Sequence, residues 1–424
     1  MFKPCLRLQS FLCVGKWLLA CLAIVPALQA SASEAGAPAP LLRSGQSVDW
    51  WFVFKFNAKS FPGCGGAAVV ACPYGGTPSG RTSSQQFVYA SSNDRDLKKG
   101  DGCVGDTGTD PVGATFGEIY GGAYHYVVWN DQFYQDPPIQ GCGNSCSAPW
   151  GHSKGVLAWS DSGDGLVMQV STPSWPASGS KDASRKSDGN SLGCVTSTDN
   201  VLVSQHFFSL RLSGDDVVQV LKGMVNASVV TDPSNPQLVN NGGPQAIQDL
   251  VNLLGKKSAS TQLLRVQLSS GVGLLSKPSG LQVPPWQMVS AELGGVPLRV
   301  ASWWTHPAID STTSATTVEC WDESLPKPGA VEIALSGIWS GTAFGLKGGG
   351  GPNFNHAKVG VSSDSNHHFV VFGDMNQQGS LTGDCGSSQN GRGGLFFVLE
   401  DDALSRSVSG LIQGQSAPVA GADQ

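Results

Sequence analysis

Short runs of β-branched and aromatic residues recur along the chain, separated by stretches rich in Gly, Ser and Thr. In the first half these are SVDWWFVFKF (47–56), YHYVVWN (124–130), GVLAW (155–159) and NVLVSQHFF (200–208). In the second they are LLRVQL (263–268), VEIALSG (331–337), HHFVVFGD (367–374) and GGLFFVLE (393–400). All have the length and composition of strands. Two segments instead space their apolar residues as a helix does: SGDDVVQVLKGMV (213–225), which starts on Ser and Asp, and GPQAIQDLVNLLGKK (243–257), with Pro in its first turn and Lys in its last. Many strands and few helices predict an α/β or α+β architecture with substantial sheet. TDPSNPQLVNNGG (231–243) reads as a linker between halves, and KDASRKSDGNS (181–191) and STTSATT (311–317) as polar loops.

The head of the chain follows a different rule. Residues 1–32 place Lys3, Arg7 and Lys16 ahead of or within an apolar core and end in Ala30-Ser31-Ala32, the form of a cleaved export signal. Residues 33–43 read as a flexible mature start. No later segment approaches the ~20 apolar residues of a spanning helix, so no membrane role is expected. The 392 residues beyond the signal suit two domains or two halves sharing one sheet system: 44–230 and 244–424, joined by 231–243. Without Cys5, Cys13 and Cys21, eight cysteines remain, an even number that predicts disulfides in an exported chain without fixing which of 105 pairings forms. Cys142 and Cys146 have no His/Cys partner pair nearby to complete a metal site. With the three basic residues of the signal gone, 23 Lys+Arg face 32 Asp+Glu, a net charge of −9 that disfavours nonspecific nucleic-acid binding at neutral pH.

Against this background one tripeptide occurs twice. GHSKGVLAW (151–159) and NFNHAKVGVS (353–362) each place a His and a Lys two apart, His152 with Lys154 and His356 with Lys358, 204 residues from one another. Polar residues follow at similar offsets, Asp161 and Ser174 in the first half, Asp364 and Asn376 in the second, which points to an internal duplication. Strand residues two apart share a face, so each His projects with its Lys. Two such strands about a pseudo-two-fold gather two imidazoles and two ammonium groups, a set suited to a phosphodiester. One neutral imidazole attacks phosphorus and the other, protonated, releases the leaving oxygen. The lysines and an amide such as Asn376 balance charge on the non-bridging oxygens. Such a site calls for no metal and no cofactor.

The doubled His-x-Lys resembles the phospholipase D superfamily, and the surrounding boxes resemble deoxyribonuclease II more narrowly. SGQSVDWWFVFKFN (44–57) is similar to that family's amino-terminal strand, VVWNDQ (127–132) to its YNDQ segment, and GHSKGVL (151–157) to its first box. SWPASG (174–179) matches a Pro-rich turn, and GDMN (373–376) with GRGGLFF its carboxy-terminal signature. The resemblance implies two phospholipase D-like α/β/α repeats packed as a pseudodimer within one chain. It also implies a metal-independent endonuclease that cuts DNA, double-stranded included, in acid to 3′-phosphate and 5′-hydroxyl ends. His152, Lys154, His356 and Lys358 would be catalytic and Asn376 would bind substrate. Trp159 and Ser363 stand where the superfamily has an Asp after four intervening residues, a departure deoxyribonuclease II shares. Ser174 replaces the first-half amide. The pseudo-symmetry leaves both histidines eligible as nucleophile, with a lean to His152. Periplasmic, secreted or lysosomal destinations all fit the signal.

Other residues admit plainer readings. His125 and His206 read as packed or rim histidines, and Trp303 and Trp304 beside His306 as core packing or a base-stacking surface. Of adjacent His367 and His368, one is expected to be buried. KGGGGP (347–352) reads as a flexible loop, lacking the Lys-Ser/Thr of a P-loop. Asp161 and Asp364 either orient the His-x-Lys strands or lie in surface turns. Asn226-Ala227-Ser228 is a glycosylation sequon only in a eukaryotic source. Two rival functions remain, a lipid or small-diester phosphodiesterase of the same superfamily and a non-catalytic exported binding protein.

Overall fold

A computed structural model of the chain describes residues 36–421 apart from 67–70, 80–82, 106, 186 and 188. The expected signal, 1–32, lies outside the described residues. Of 33–43, the part from residue 38 is docked rather than flexible: Ala39 and Leu41 are buried, and the Leu41 N–H donates to Thr115 Oγ1 at 2.9 Å.

The chain runs through a short hairpin β1 (Leu41–Arg43) and β2 (Gln46–Ser47), then β3 (Trp50–Lys55), β4 (Phe87–Ser91), β5 (Asp94–Lys99), α1 (Pro111–Gly121) and β6 (His125–Asn130). It continues with β7 (Lys154–Trp159), β8 (Gly165–Val170), β9 (Gln205–Leu212), α2 (Gly214–Asn226), β10 (Val239–Asn240) and α3 (Gln245–Val251). The second half follows as β11 (Leu264–Gln267), β12 (Gly273–Lys277), α4 (Pro285–Glu292), β13 (Leu298–Ala301), β14 (Val331–Ile333), β15 (Ser336–Trp339), β16 (Thr342–Gly345), β17 (Val359–Ser362), β18 (Phe369–Gly373), β19 (Gly394–Glu400) and α5 (Asp402–Ile412).

Two large sheets result, with few helices. The first has the order β10-β6-β7-β8-β9-β3-β4-β5 and the second β11-β12-β19-β18-β17-β13-β14. Within them β6-β7-β8-β9-β3 and β13-β17-β18-β19-β12 use elements of the same rank in each half, all paired antiparallel. Both faces of the first sheet are covered, which is why β3, β7 and β8 are buried at every position and read as unbroken apolar runs. The sheets meet through aromatic rings: Phe372 of β18 lies 4.7 Å from Phe52 and 4.3 Å from Phe208. Helix α2 closes this layer with Val217, Val220, Leu221 and Met224, and α5 with Leu404, Val408, Leu411 and Ile412. Each such side chain contributes roughly 1.5–3 kcal/mol on burial. A capping box between Ser213 and Asp216 starts α2.

The stretch 231–243 is no free linker. Val239–Asn240 pairs with β6, and the Val128 N–H donates to Leu238 O at 2.7 Å. Pairing there satisfies an edge of β6 that would otherwise be buried without partners. All eight cysteines after residue 32 are joined, as Cys64–Cys103, Cys72–Cys194, Cys142–Cys146 and Cys320–Cys385. Among the described residues no helix is long and apolar enough to cross a membrane.

Candidate active site

His152 stands two residues ahead of Lys154, the first residue of β7, and His356 three ahead of β17. Each is held by the other half. The His152 N–H donates to Gly393 O, immediately before β19, at 2.8 Å; the His356 N–H donates to Ser204 O, immediately before β9, also at 2.8 Å. This reciprocal exchange brings the two His-x-Lys segments together. Lys154, Lys358 and His152 all act electrostatically on the His356 ring, and Lys154 and Lys358 on that of His152. The four side chains lie deep, the histidines 8% exposed and the lysines 2% and 3%.

Burial, reinforced by the neighbouring lysines, holds both imidazoles well below their usual range, so both are neutral in the free protein at pH 7. His152 Nδ1 lies 2.7 Å from Asp374 O. A carbonyl only accepts, so Nδ1 carries the proton and Nε2 keeps its lone pair. His356 Nε2 is 3.4 Å from Asn200 Nδ2, and the Trp303 ring lies across the imidazole, 4.3 Å away at 75°.

The two lysines have different surroundings. Lys154 Nζ meets Asp131 Oδ1 at 2.5 Å, and Asp131 Oδ2 accepts from Arg392 at 2.9 Å. Burial pushes the Asp131 carboxyl up, but Lys154, His152 and Arg392 together hold it well below the usual carboxylate range. Lys358 Nζ donates to His356 O at 2.6 Å, and its N–H to His206 Nδ1 at 3.1 Å. Burial and the Lys154 charge push the Lys358 amine down to about 7, against the pull of Asp131 and Asp374. Asp374 is itself pushed up to about 7 by burial, and its carboxylate accepts from Gln169 and the Leu395 N–H, each at 3.0 Å.

Asn376 is buried two residues beyond the carbonyl that holds His152. Its Nδ2 donates to Gln378 Oε1 at 2.8 Å, and its Oδ1 is buried with no hydrogen-bond partner. Its recorded contacts are with Gln378 and Gln389 rather than with the four His-x-Lys side chains.

Asp131, Asp374 and Arg392 lie within the boxes VVWNDQ, GDMN and GRGGLFF, although no site role follows for them from the sequence, Trp303 reads there as packing or a stacking surface, and Asn200 carries no sequence signal. His206, read as a packed or rim histidine, is fully buried, and its Nδ1 accepts the Lys358 N–H. Asp161 and Asp364 lie in turns beside His125 and His367, at 2.7 and 3.0 Å, and not at the His-x-Lys strands. Neither His367 nor His368 is buried; both side chains are 42% exposed, because the pair precedes β18 rather than forming part of it. The 347–352 loop lies against Trp303: a Cβ on Gly348 would meet that ring at 2.8 Å. Among the described residues no group of three or more His, Cys, Asp or Glu side chains is placed to hold a metal ion.

Comparison with known proteins agrees with the arrangement of residues. The chain is 25% identical over 367 residues to cell-death-related nuclease 7 of Caenorhabditis elegans, an alignment that covers 85% of this chain and 82% of the worm protein. The model of the family described as deoxyribonuclease II matches residues 40–209, from β1 into β9, and so includes the first His-x-Lys. Over that segment the chain is similar to the deoxyribonuclease II family.

Proposed function

We propose that this deoxyribonuclease-type hydrolase is an exported endonuclease that cuts DNA in acid without a metal, through a covalent phosphohistidine. The observation that carries the reading is the reciprocal pair of backbone hydrogen bonds, His152 to Gly393 and His356 to Ser204, which seats two imidazoles and two lysines in one buried site. The common strand order supports two phospholipase D-like α/β/α repeats, 44–230 and 244–424, packed as a pseudodimer in a monomer. Four disulfides fit export.

His152 is the nucleophile in this scheme, because its Nδ1 proton is committed to the Asp374 carbonyl and Nε2 is left to attack. Nε2 bonds to phosphorus as the P–O5′ bond breaks, and His356 as imidazolium gives its proton to O5′. Water then attacks phosphorus, gives a proton to neutral His356 and releases His152, leaving 3′-phosphate and 5′-hydroxyl ends. Lys154 and Lys358 hold the non-bridging oxygens, with Asn376 as the substrate-binding amide. The acid requirement follows from the site itself. Burial and the lysines keep His356 neutral, so its protonated form is scarce until the pH falls below the usual imidazole value of about 6.5.

The test is nicking of supercoiled plasmid in EDTA from pH 4 to 8 with end-group analysis. The descending limb of kcat/KM is expected below pH 6.5, and that of kcat at higher pH, because a bound phosphodiester anion favours imidazolium. A rate flat or rising from pH 5 to 8 overturns the scheme. Choline release from phospholipid without nicking would favour the lipid reading, and full function in His152→Ala a binding role.

A further inference from the structure

Two buried lysines lie outside the His-x-Lys pairs. Lys55 is the last residue of β3 and Lys277 the last of β12, strands of equal rank in the common order, and both side chains are fully buried. Lys55 Nζ donates to Phe56 O at 2.9 Å, Ser84 O at 2.8 Å and Val201 O at 2.5 Å. Lys277 Nζ donates to Pro278 O at 3.4 Å, Asn390 O at 2.7 Å and Arg392 O at 2.9 Å. Each amine thus binds the carbonyl of the next residue and reaches into the turn before the neighbouring strand, 201–204 before β9 or 390–393 before β19.

Those turns are the ones that grip the histidines. The first ends in Ser204, whose carbonyl holds His356, and Asn200 just before it reaches the His356 ring. The second ends in Gly393, whose carbonyl holds His152, and its Arg392 binds Asp131. We propose that Lys55 and Lys277 are positioning residues, each tying down the turn that holds the catalytic histidine of the opposite half.

The choice of residue supports this. A buried ammonium is costly to desolvate, and an apolar chain of similar length would fill the same space. Burial pushes the Lys277 amine down to about 7, and Lys55 also falls well below its usual range, against the pull of Asp199. What lysine alone supplies is three donors that converge on carbonyls from separate segments. Neither amine hydrogen-bonds a His-x-Lys side chain, so the hold on the histidines runs through the backbone, with the Lys55 charge also helping to keep the His356 ring below its usual range.

The experiment compares Lys55→Met and Lys277→Met in the full chain, labelled with ¹⁵N and read by NMR at the backbone amides and ring nitrogens of His152 and His356. Lys277→Met is expected to move the His152 signals and leave those of His356, and Lys55→Met to do the reverse. Each is expected to lower kcat at least tenfold with KM changing less than threefold, since small misplacements of reacting groups act on rate. This arm rests on the proposed nuclease chemistry, whereas the NMR arm does not, so the two failures are distinguishable. A lysine variant that moves its own half's histidine, both equally, or neither overturns the proposal. Where Met prevents folding, Lys→Gln keeps donors to the carbonyls without the charge; a glutamine variant that also fails to fold counts against positioning, as the lysine would then serve the fold.

Discussion

The two halves frame their His-x-Lys segments alike and furnish them differently. In both, the N–H of the second residue of β9 or β19 meets a side chain from the end of the preceding strand: His206 donates to Ser171 Oγ at 2.8 Å, Leu395 to Asp374 Oδ2 at 3.0 Å. The frame is common; a hydroxyl faces a carboxylate. The same divergence marks the lysines, since Lys154 is paired with the Asp131 carboxylate, which it shares with Arg392, whereas Lys358 bonds only a carbonyl through its amine. It marks the histidines too, one fixed by a 2.7 Å bond at Nδ1, the other by a looser amide and an indole. Backbone geometry makes two equivalent places, and in the proposed scheme the side chains then separate attack from proton transfer.

The largest expected effects test that separation. His152→Asn and His356→Asn should each lower plasmid nicking by about 10³-fold or more, as loss of a nucleophile or its partner does elsewhere. They should part company on a DNA ester with a nitrophenolate leaving group, which departs without a proton. His356→Asn should then still trap labelled phosphate on the protein, and His152→Asn should trap none. Trapping in the reverse pattern would exchange the roles of the halves.

A smaller difference is expected between the lysines. Lys358→Met should lower activity about 10²-fold and leave the melting temperature within a few degrees, because no buried carboxylate depends on it for a hydrogen bond. Lys154→Met strands Asp131 with Arg392 alone. Removing one partner of a buried pair costs about 3–5 kcal/mol, and the surviving arginine contact places this variant at or below the lower end. Thermal denaturation of the two variants side by side decides this; equal melting temperatures would remove the asymmetry.

The sequence made the doubled motif and most long strands legible for one reason, the unbroken apolar runs that sheets covered on both faces require. Helix α1 escaped because its three glycines dilute the helical pattern, although Asp110 caps it. The segment 200–204 reads as strand from composition, yet strand pairing begins only at Gln205, because its backbone is used by Lys55 and His356. Helix α3 stops at Val251 rather than running to 257, with Gly255 at a φ of 70° just beyond it. Asp131 and Arg392 meet across 261 positions, a distance over which no local pattern carries information. The duplicated polar offsets behind each His pointed to Asp161 and Asp364, which proved to lie in turns; the carboxylates that matter, Asp131 and Asp374, stand at strand ends, where spacing gives no cue.

The smallest effect concerns His206, whose counterpart in β19 is the apolar Leu395. Its Nδ1 accepts the Lys358 N–H, so the neutral ring carries its proton on Nε2, which is buried without a partner. Burial, aided by Lys358, holds this imidazole well below its usual range. The unfolded chain therefore binds a proton near pH 6.5 that the folded chain refuses, so this residue's stability is complete above that value and lost as the pH falls toward the folded pKa. Asp374 works in the opposite sense. Its carboxyl is raised to about 7, so its contribution is present below its ordinary range and lost as the pH rises through about 7. His206→Asn keeps an acceptor near Nδ1 and removes the titration. It should lower activity less than tenfold, cost about 1 kcal/mol at pH 7, and narrow the difference in urea midpoint between pH 7 and pH 5. An unchanged difference would mean that the acid sensitivity of the fold resides in other buried groups, such as His152 and His356, and that the second half's lysine has no titrating support from the first.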